Sequence, residues 1–466
     1  MIRFLVHRVR ARSLALAGCE TALMIVAVAA AAALRFGVED ATRILVNENG
    51  IFKILLIVGI AQVSLYYADL YDLRVASDKR ELYTRLIQAI ASTSFALAVL
   101  YFWAPSLMVG RGVFLIAAAM LMTIVVGWRL LFEWLSGRVG SSEKLLLVGT
   151  SPACVDLARE LYEHRHQLGV EIAGFIDPDP AKVGTSLLNP GIVGTIDDIP
   201  RIVRSYGVDR VVVSLADARG TLPVDKLLEM KLEGVTFDHL ASVYEQYTGK
   251  IAVENLRPSW LIFSDGFRKT RFLGTIKRGM DVVCASLGLV LAAPLMAAAY
   301  VAIRMTSPGP VLYHQSRVGK NGHVFTVHKF RSMRVDAEAA TGPVWASKHG
   351  DPRVTPIGSF LRRSRLDEVP QLWNVLKGDM SFVGPRPERP EFVAELTQSI
   401  RFYGQRHIVR PGLTGWAQVR YTYGATTEDA LQKLQYDLYY IKNLSIALDI
   451  FIIFETVKTV VLRKGA

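Results

Sequence analysis

The chain has 466 residues, enough for two or three domains, and 51% of them are hydrophobic, a share that indicates membrane segments. The formal net charge is +12 at pH 7, and residues 301–420 alone hold 18 Lys and Arg against 9 Asp and Glu. Such a basic block favours nucleic acid, anionic lipid or a phosphorylated small substrate as the partner. Three Cys residues lie far apart, which argues against a disulfide framework and against a Cys-based zinc site.

Four apolar stretches open the chain, and we predict that each crosses the membrane as a helix. A cleaved signal peptide is the alternative for the first stretch, but three further apolar stretches follow it. Lys and Arg are concentrated before the first stretch and after the second, whereas the loop between the third and fourth has only Arg111. This asymmetry predicts that both ends of the four-helix unit, residues 1–140, face the cytoplasm. The stretches lie at about 13–34, 51–68, 86–104 and 113–131.

Residues 141–265 are predicted to form a Rossmann-like α/β domain. Continuous apolar strands alternate with helical segments, a pattern typical of βαβ units and a parallel sheet. The turn after the first strand has Gly149 but lacks the second and third glycines of a dinucleotide fingerprint. We therefore predict a structural or regulatory domain without a bound cofactor. The predicted strands are 144–150, 171–177, 209–215 and 234–240.

A fifth apolar stretch, residues 282–303, is long enough to cross the membrane but has Pro294 near its middle. Lys277 and Arg278 precede it and another arginine follows, so both ends carry charge suited to the same membrane surface. A proline inside a helix removes a backbone hydrogen bond and favours a bend. We therefore predict a re-entrant helix hairpin over residues 280–304, which enters one leaflet and returns.

The C-terminal segment, residues 444–462, is apolar but contains three charged residues. These charges disfavour a membrane span. They favour an amphipathic helix lying on the membrane, with a buried core helix as the alternative.

Residues 361–390 read LRRSRLDEVPQLWNVLKGDMSFVGPRPERP, with the adjacent acids Asp367 and Glu368 set among arginines. One interpretation is a charged surface helix whose ion pairs contribute little to stability. The other is a site where a carboxylate attacks phosphate while guanidinium groups hold the phosphate charge. Side chains of adjacent helical residues diverge by about 100°, so both acids cannot face one point in the middle of a helix. Pro370 disfavours helical geometry at Val369, which favours a helix start nearby.

From about residue 275 onward, the chain resembles the bacterial sugar transferases, the monotopic phosphoglycosyl transferases that act on polyprenyl phosphate. The complete layout resembles the large exopolysaccharide-initiating members of that family. One departure is Ala293 before Pro294, where many relatives have Ser-Pro. The matching motifs, in chain order, are KR-x-x-D at 277–281, SPGPVLYHQSRVG at 307–319, HKFRSM at 328–333, the segment 361–388 and RPGLTGWAQV at 410–419.

The resemblance implies a mixed membrane protein with an α-rich monotopic catalytic domain over residues 270–466. It implies transfer of a sugar 1-phosphate from a UDP-sugar to undecaprenyl phosphate, with release of UMP, on the cytoplasmic face of the bacterial inner membrane. Asp367 is implied as the nucleophile that forms a phospho-sugar aspartyl intermediate. Mg²⁺ is the implied metal, with Glu368 and Asp367 as its ligands.

Basic side chains are the candidates for holding the phosphates. A guanidinium fork binds two phosphate oxygens at once, whereas Lys acts as a point charge. Pro385 and Pro387 flank one of these arginines and would stiffen its loop. The candidates are Lys329, Arg331, Arg362 and Arg386.

Two other functions are alternatives. A nucleotide-sugar dehydratase would need the glycine fingerprint and a Tyr-x-x-x-Lys pair, and the sequence has neither. A membrane scaffold for polysaccharide assembly is the non-enzymatic alternative. Nucleic acid is not a predicted partner, because the basic residues adjoin membrane segments and no recognition motif. Membrane lipid is a predicted partner, a homodimer is one oligomeric state left open, and no residue identifies the sugar.

Overall fold

The computed structural model describes residues 8–47, 49–71, 79–108, 111–139, 143–163, 170–214, 224–253, 266–267, 270–337, 353–421, 424 and 426–461. The chain divides into two compact units, Met1–Asp238 and His239–Ala466. This boundary lies before residue 265, where the sequence analysis ends the α/β domain.

Helices open the first unit: α1 (Arg8–Phe36), α2 (Val38–Asn47), α3 (Gly50–Tyr67), α4 (Lys79–Trp103) and α5 (Arg111–Val139). Three of them contain segments long and apolar enough to cross a membrane, namely Leu16–Phe36, Gly50–Tyr67 and Leu82–Trp103. These agree with the first three predicted spans. The fourth predicted span is a helix as well, but the apolar segment in its described part is shorter, Ile116–Arg129.

A buried ion pair joins the first and last helices of this bundle. Glu20 on α1 is fully buried and accepts hydrogen bonds from Arg129 on α5, at 2.7 Å from Nε and 3.1 Å from Nη2. The Tyr71 hydroxyl donates to the same carboxylate at 2.7 Å. A buried carboxylate is tolerated when it is paired and hydrogen-bonded in this way. The pair therefore fixes how α1 packs against α5.

A parallel sheet follows the bundle. Its strands are β1 (Glu143–Val148), β2 (Val170–Ile176), β3 (Ile192–Gly194), β4 (Arg210–Val213) and β5 (Thr236–His239), in the order β3-β2-β1-β4-β5. The helices of this part are α6 (Pro152–Glu163), α7 (Ile199–Tyr206) and α8 (Val224–Leu232). β1 pairs in parallel with β2 and β4, and β2 pairs in parallel with β3. The predicted Rossmann-like sheet is confirmed. β3 was not predicted, because three residues are too short to show a periodic pattern.

A carboxylate at the end of β2 already accepts several hydrogen bonds from the protein. Asp177 follows β2 and accepts hydrogen bonds from the Thr150 hydroxyl, from Lys182 Nζ at 3.2 Å and from the backbone N–H of Asp179 at 2.9 Å. Burial opposes ionisation, but these donors together lower the pKa of Asp177. A negative charge is therefore held beside the turn that joins β1 to α6.

The second unit is mostly helical, as predicted. Its helices are α9 (Leu240–Thr248), α10 (Arg271–Thr306), α11 (Pro356–Arg363), α12 (Gln371–Lys377), α13 (Pro390–Ser399), α14 (Trp416–Arg420), α15 (Thr427–Lys442) and α16 (Ile446–Val461). Strands β6 (Leu312–Val318) and β7 (Val324–Phe330) form an antiparallel hairpin, and β8 (Ser381–Val383) pairs in parallel with β9 (Gly412–Thr414). α9 belongs here because Glu245 pairs with Lys442 at 2.5 Å.

The fifth apolar stretch forms one helix, α10, which runs through Pro294 without a break. The predicted hairpin of two arms joined by a turn is therefore not observed. A helix in apolar surroundings can keep its form at a proline when neighbouring groups accommodate the freed carbonyl. Asp281, Ala285, Ala299 and Ile303 are buried along one face, at spacings close to whole helical turns. Most other apolar side chains of α10 are exposed, Leu291 among them at 75%.

The C-terminal helix α16 has one face in the protein core. Leu448, Asp449 and Ile452 are buried there, whereas Ile450 and Val457 on the other face are exposed. Asp449 is therefore buried in the protein, and the alternative of a buried core helix holds for this face of α16. Apolar side chains on the outer face are exposed, and the predicted contact of this helix with the membrane surface stays a prediction.

Candidate active site

The two adjacent acids lie on a short 3-10 turn, Leu366–Glu368, between α11 and α12. Arg365 precedes the turn with φ 57° and ψ 13°, a left-handed conformation that reverses the chain after α11. α12 begins at Gln371, so the predicted helix start near Pro370 is confirmed. The expectation that Val369 is not helical is wrong, because Val369 has φ −55° and ψ −38°. Successive side chains of a 3-10 turn diverge by about 120°. Asp367 and Glu368 therefore have different surroundings.

Glu368 is held between two cations from separate motifs. Its Oε1 accepts hydrogen bonds from Arg386 Nη2 at 2.6 Å and from Lys329 Nζ at 3.2 Å. Burial opposes the charge of Glu368, but Arg386 and Lys329 hold its pKa well below the usual range. Glu368 is therefore a permanent anion that joins β7 to the loop after β8.

Asp367 is buried, with 8% of its surface exposed, and its Oδ1 has no hydrogen-bond partner in the described structure. Burial is the largest cause, and the Glu368 charge the second, of a pKa raised to about 6. The charges of Lys329, Arg362 and Arg365 act in the opposite direction. Asp367 is therefore mostly ionised at neutral pH but poorly solvated, which favours a reactive carboxylate.

The four predicted phosphate-binding residues do not all contact the same part of the site. Lys329 and Arg386 meet at Glu368, and Arg362 on α11 lies close enough for its charge to lower the pKa of Asp367. Arg331 is different. Its Nη1 and Nη2 donate to the carbonyl oxygens of Pro308 and Ser307, at 2.8 and 2.9 Å. The structure thus places Arg331 as a support of the SPGP loop, and does not join it to the acids.

Arg386 is positioned by backbone contacts that sequence reasoning missed. Arg406 Nη2 donates to the Arg386 carbonyl at 2.9 Å, and Arg317 Nη1 donates to the Pro387 carbonyl at 2.9 Å. The backbone N–H of Gly412 donates to Pro385 at 2.9 Å. Arg317 and Gly412 belong to motifs quoted above, but a motif does not tell an arginine that binds a carbonyl from one that binds phosphate.

Two basic residues assigned to the membrane hairpin, Lys277 and Arg278, donate hydrogen bonds to elements that follow the acids. Lys277 Nζ donates to the carbonyl of Val383 at 3.0 Å. Arg278 donates to the carbonyls of Val375 and Leu376, both at 2.6 Å, at the C-terminal end of α12. Cations are favourable at this end of a helix because its last carbonyls lack intrahelical partners. These two side chains therefore fasten α10 to α12 and β8, the two elements that follow the acids in the chain.

Asn374 connects the acid-bearing segment to the strand that carries Lys329. It is fully buried on α12, and its Nδ2 donates to the carbonyl of Thr326 at 2.8 Å. Its Oδ1 accepts from the backbone N–H of His328 at 3.2 Å. Because Lys329 follows His328 directly, this amide sets the distance between Lys329 and Glu368.

The acids fit Mg²⁺ only if a substrate completes the metal's ligands. Among the described residues, no group of three or more His, Cys, Asp or Glu side chains could hold a metal ion. Mg²⁺ is commonly bound by one or two carboxylates together with substrate phosphates and water. The unpartnered Oδ1 of Asp367 and the adjacent Glu368 carboxylate suit that arrangement.

Two family models match the chain. One, described as a bacterial sugar transferase, matches residues 272–463. The other, described as a CoA-binding domain, matches residues 67–228. The described turn after β1 does not fit the pyrophosphate of such a ligand. Pro152 lacks the N–H that a first helical residue would offer, and the Asp177 carboxylate beside the turn would repel phosphate.

Two curated relatives match about half of the chain. The chain is 44% identical over 228 residues to the UDP-N-acetylgalactosamine-undecaprenyl-phosphate N-acetylgalactosaminephosphotransferase of Aeromonas hydrophila, covering 49% of this chain and 53% of that protein. It is 42% identical over 242 residues to the UDP-glucose:undecaprenyl-phosphate glucose-1-phosphate transferase of Xanthomonas campestris pv. campestris, covering 51% and 49%. The chain thus spans about half the length of these two relatives.

A third relative matches more of both proteins. The UDP-glucose:undecaprenyl-phosphate glucose-1-phosphate transferase of Escherichia coli (strain K12) is 32% identical over 348 residues, which are 72% of this chain and 71% of that protein. The aligned part is therefore longer than the second unit alone. With the transferase model matched over residues 272–463, this shows that the chain belongs to the bacterial sugar transferase family.

Proposed function

We propose that this protein transfers a sugar 1-phosphate from a UDP-sugar to undecaprenyl phosphate, releases UMP, and so begins the synthesis of an exopolysaccharide or capsule. The observation that carries the proposal is the state of Asp367, a buried carboxylate with an unpartnered oxygen beside fixed cations. Relatives with both kinds of substrate in their names support the two substrates.

In the first step, an Asp367 carboxylate oxygen attacks the phosphorus that bears the sugar. A new oxygen–phosphorus bond forms, and the bond from that phosphorus to the bridging oxygen breaks. The bridging oxygen keeps the electron pair and leaves as part of UMP. The product on the protein is a sugar phosphate esterified to Asp367, so one difficult displacement becomes two easier ones.

In the second step, a phosphate oxygen of undecaprenyl phosphate attacks the same phosphorus. The bond to Asp367 breaks, and its electron pair restores the carboxylate. The lipid leaves as undecaprenyl diphosphate sugar. Both steps join anions, so neighbouring cations have to offset the repulsion. Lys329 and Arg386 contact Glu368, and the charges of Arg362 and Arg365 act on Asp367. These side chains supply the positive charge.

Glu368 has two roles in this proposal. It holds Lys329 and Arg386 in place before substrate binds, and its second oxygen, with Asp367, would hold Mg²⁺. When bound, the metal supplies positive charge to the diphosphate of the donor. Arg331 supports the site through the SPGP loop and is not assigned a phosphate.

The packing of α10 supports a catalytic unit that lies on one side of the membrane. Near its start, Lys277 contacts Val383, and near its end Ile303 packs with Val311 and Phe330. The same compact unit thus covers both ends of the helix. A helix that crossed the bilayer would separate these contacts. We infer that α10 is embedded in one leaflet by its exposed apolar face, at the cytoplasmic surface of the inner membrane.

The testing experiment measures nucleotide release by the full-length protein in detergent. The assay supplies UDP-glucose, UDP-galactose or UDP-N-acetylgalactosamine, with undecaprenyl phosphate and Mg²⁺. We expect UMP release that depends on the lipid and is lost in Asp367→Asn. Glu391→Gln, at an exposed acid on α13, is the matched control and should keep wild-type activity. Release of UDP would indicate ordinary glycosyl transfer. If no nucleotide is released with any of the donors, the scaffold alternative is favoured.

A further inference from the structure

Gln371, the first residue of α12, is buried and has an amide nitrogen without a hydrogen-bond partner in the described structure. Only 4% of its surface is exposed, and its Nε2 is fully buried with no partner in the described structure. Leaving a buried donor unpaired is unfavourable, so most such groups bind protein, water or a ligand. Asn374, three residues later on the same helix, satisfies both of its amide groups. The missing hydrogen bond is therefore a feature of Gln371 and is not shared by Asn374, the other buried amide of this helix.

The position of Gln371 relates it to Asp367. The backbone is helical from Leu366 onward, with Val369 at φ −55°, ψ −38° and Pro370 at φ −59°, ψ −19°, until α12 begins. The N–H groups of Val369 and Leu372 each donate to the carbonyl three residues back, so Gln371 follows Asp367 by little more than one tight turn. This short segment therefore carries two buried polar atoms without a hydrogen-bond partner in the described structure, the acceptor Oδ1 of Asp367 and the donor Nε2 of Gln371.

We propose that Gln371 is a catalytic residue whose Nε2–H donates to a non-bridging oxygen of the phosphoryl group that Asp367 attacks. This inference rests on the proposed function and adds a named contact to it. Negative charge on the non-bridging oxygens has to be stabilised while phosphorus passes between two oxygens, and a fixed donor at that place lowers the barrier of both displacements. The donor serves the same oxygen when Asp367 attacks and when the lipid phosphate displaces it.

A neutral amide suits this place better than another cation. A Lys or Arg one turn from Asp367 would pair with its carboxylate, lower its pKa and make it a weaker nucleophile. The amide offers a hydrogen bond to phosphate without that competing ion pair. Its buried position also fixes its direction, so little conformational freedom is lost when substrate binds.

The test measures the single-turnover rate at which a UDP-sugar, without lipid acceptor, forms the sugar-phosphate adduct on the protein. Intact-protein mass spectrometry detects the adduct, and UMP is quantified in parallel. Gln371→Met keeps the side-chain length and removes the donor. We expect an adduct rate about 100-fold below wild type, the size of effect seen when one such donor is removed, with the KM for the UDP-sugar changed by less than about threefold.

Gln435→Met is the matched control. Gln435 on α15 is also 4% exposed with an unpartnered amide atom, but it lies in the helix that contributes Leu434, Leu438 and Ile441 to the apolar core. Its adduct rate should stay at the wild-type value. An equal loss in both variants would reflect packing alone and would overturn the proposal, as would a wild-type rate in Gln371→Met.

Gln371→Glu keeps the inference testable if the Met variant does not fold. The new carboxyl group can donate only when protonated, so its rate relative to wild type should rise as the pH is lowered from 8 to 6. A ratio that is independent of pH would overturn the proposal. Wild type and Asp367→Asn complete the series. A wild-type protein that forms no adduct would overturn the proposed function and this inference together, whereas an Asp367-dependent adduct that Gln371→Met forms normally would overturn this inference alone.

Discussion

The buried pair of Lys277 and Asp449 should stabilise the second unit and align its active site. Asp449 on α16 has no exposed surface, and its carboxylate accepts from Lys277 Nζ at 2.6 Å and from the Tyr440 hydroxyl at 2.8 Å. Both donors also reach the carbonyl of Val383, at 3.0 and 3.1 Å. Val383 lies three residues before Arg386, so this cluster holds the base of the arginine loop.

Replacing one partner leaves the other as an uncompensated buried charge. Lys277→Met or Asp449→Asn alone should therefore lower the free energy of unfolding by about 3–5 kcal/mol. In a unit of this size, 1 kcal/mol corresponds to roughly 2–4 °C in the unfolding midpoint, so we expect a decrease on the order of 10 °C. The double variant removes both charges and should recover most of the loss.

The assay follows thermal unfolding of the full-length protein in detergent, by tryptophan fluorescence, in a double-mutant cycle. Lys377→Met is the control, because Lys377 is 64% exposed and its ion pair with Asp379 should contribute little. The single variants should also lose UMP release at temperatures where they are still folded, because Arg386 is no longer aligned. Additive losses in the double variant would refute the reasoning, since they would show that the two charges do not stabilise each other.

Further substitutions test the ionisation of Asp367, the fork of Arg386 and the ion pair of the first unit. Only the ionised form of Asp367 attacks, so kcat/KM should fall as the pH drops through about 6, and Arg362→Gln, which removes a charge that lowers this pKa, should move the fall to higher pH. Arg386→Lys keeps the charge but loses one arm of the fork, and kcat/KM should decrease about 10- to 100-fold in the UMP assay. Arg129→Met leaves Glu20 buried and unpaired, which should lower the unfolding midpoint in detergent far more than the double variant with Glu20→Gln.

Local pattern was enough to predict the sheet and the acid-bearing turn. β1 and β2 are continuous apolar runs bounded by turn residues, and such runs identify buried parallel strands without tertiary information. Pro370 likewise indicated a helix start, which lies at Gln371, although Val369 before the proline is itself helical. The ordered motifs then singled out Asp367 and Glu368 from among many surface acids.

Tertiary contacts decided what the sequence could not. Pro294 indicated a turn within the fifth apolar stretch, yet α10 stays helical through it, with buried residues on both sides of the proline, Ala285 and Ala299. Arg331 has the same chemistry as Arg386 and lies in an equally typical motif, but its guanidinium donates to two carbonyl oxygens. Gln371 lies in the matching segment 361–388 but was not singled out there, because an unpartnered amide nitrogen is recognised only when its surroundings are known.

Part of the basic charge of the second unit holds backbone. Five basic side chains each donate to main-chain carbonyl oxygens of other segments, namely Lys277, Arg278, Arg317, Arg331 and Arg406. A carbonyl that no strand or helix partner satisfies needs a donor, and a long cationic side chain can reach it from another element. An excess of Lys and Arg in this part of the chain therefore overstates the charge available to an anionic ligand. The cations that remain beside the acids are few and fixed, which suits a site for one diphosphate better than a surface for a polyanion.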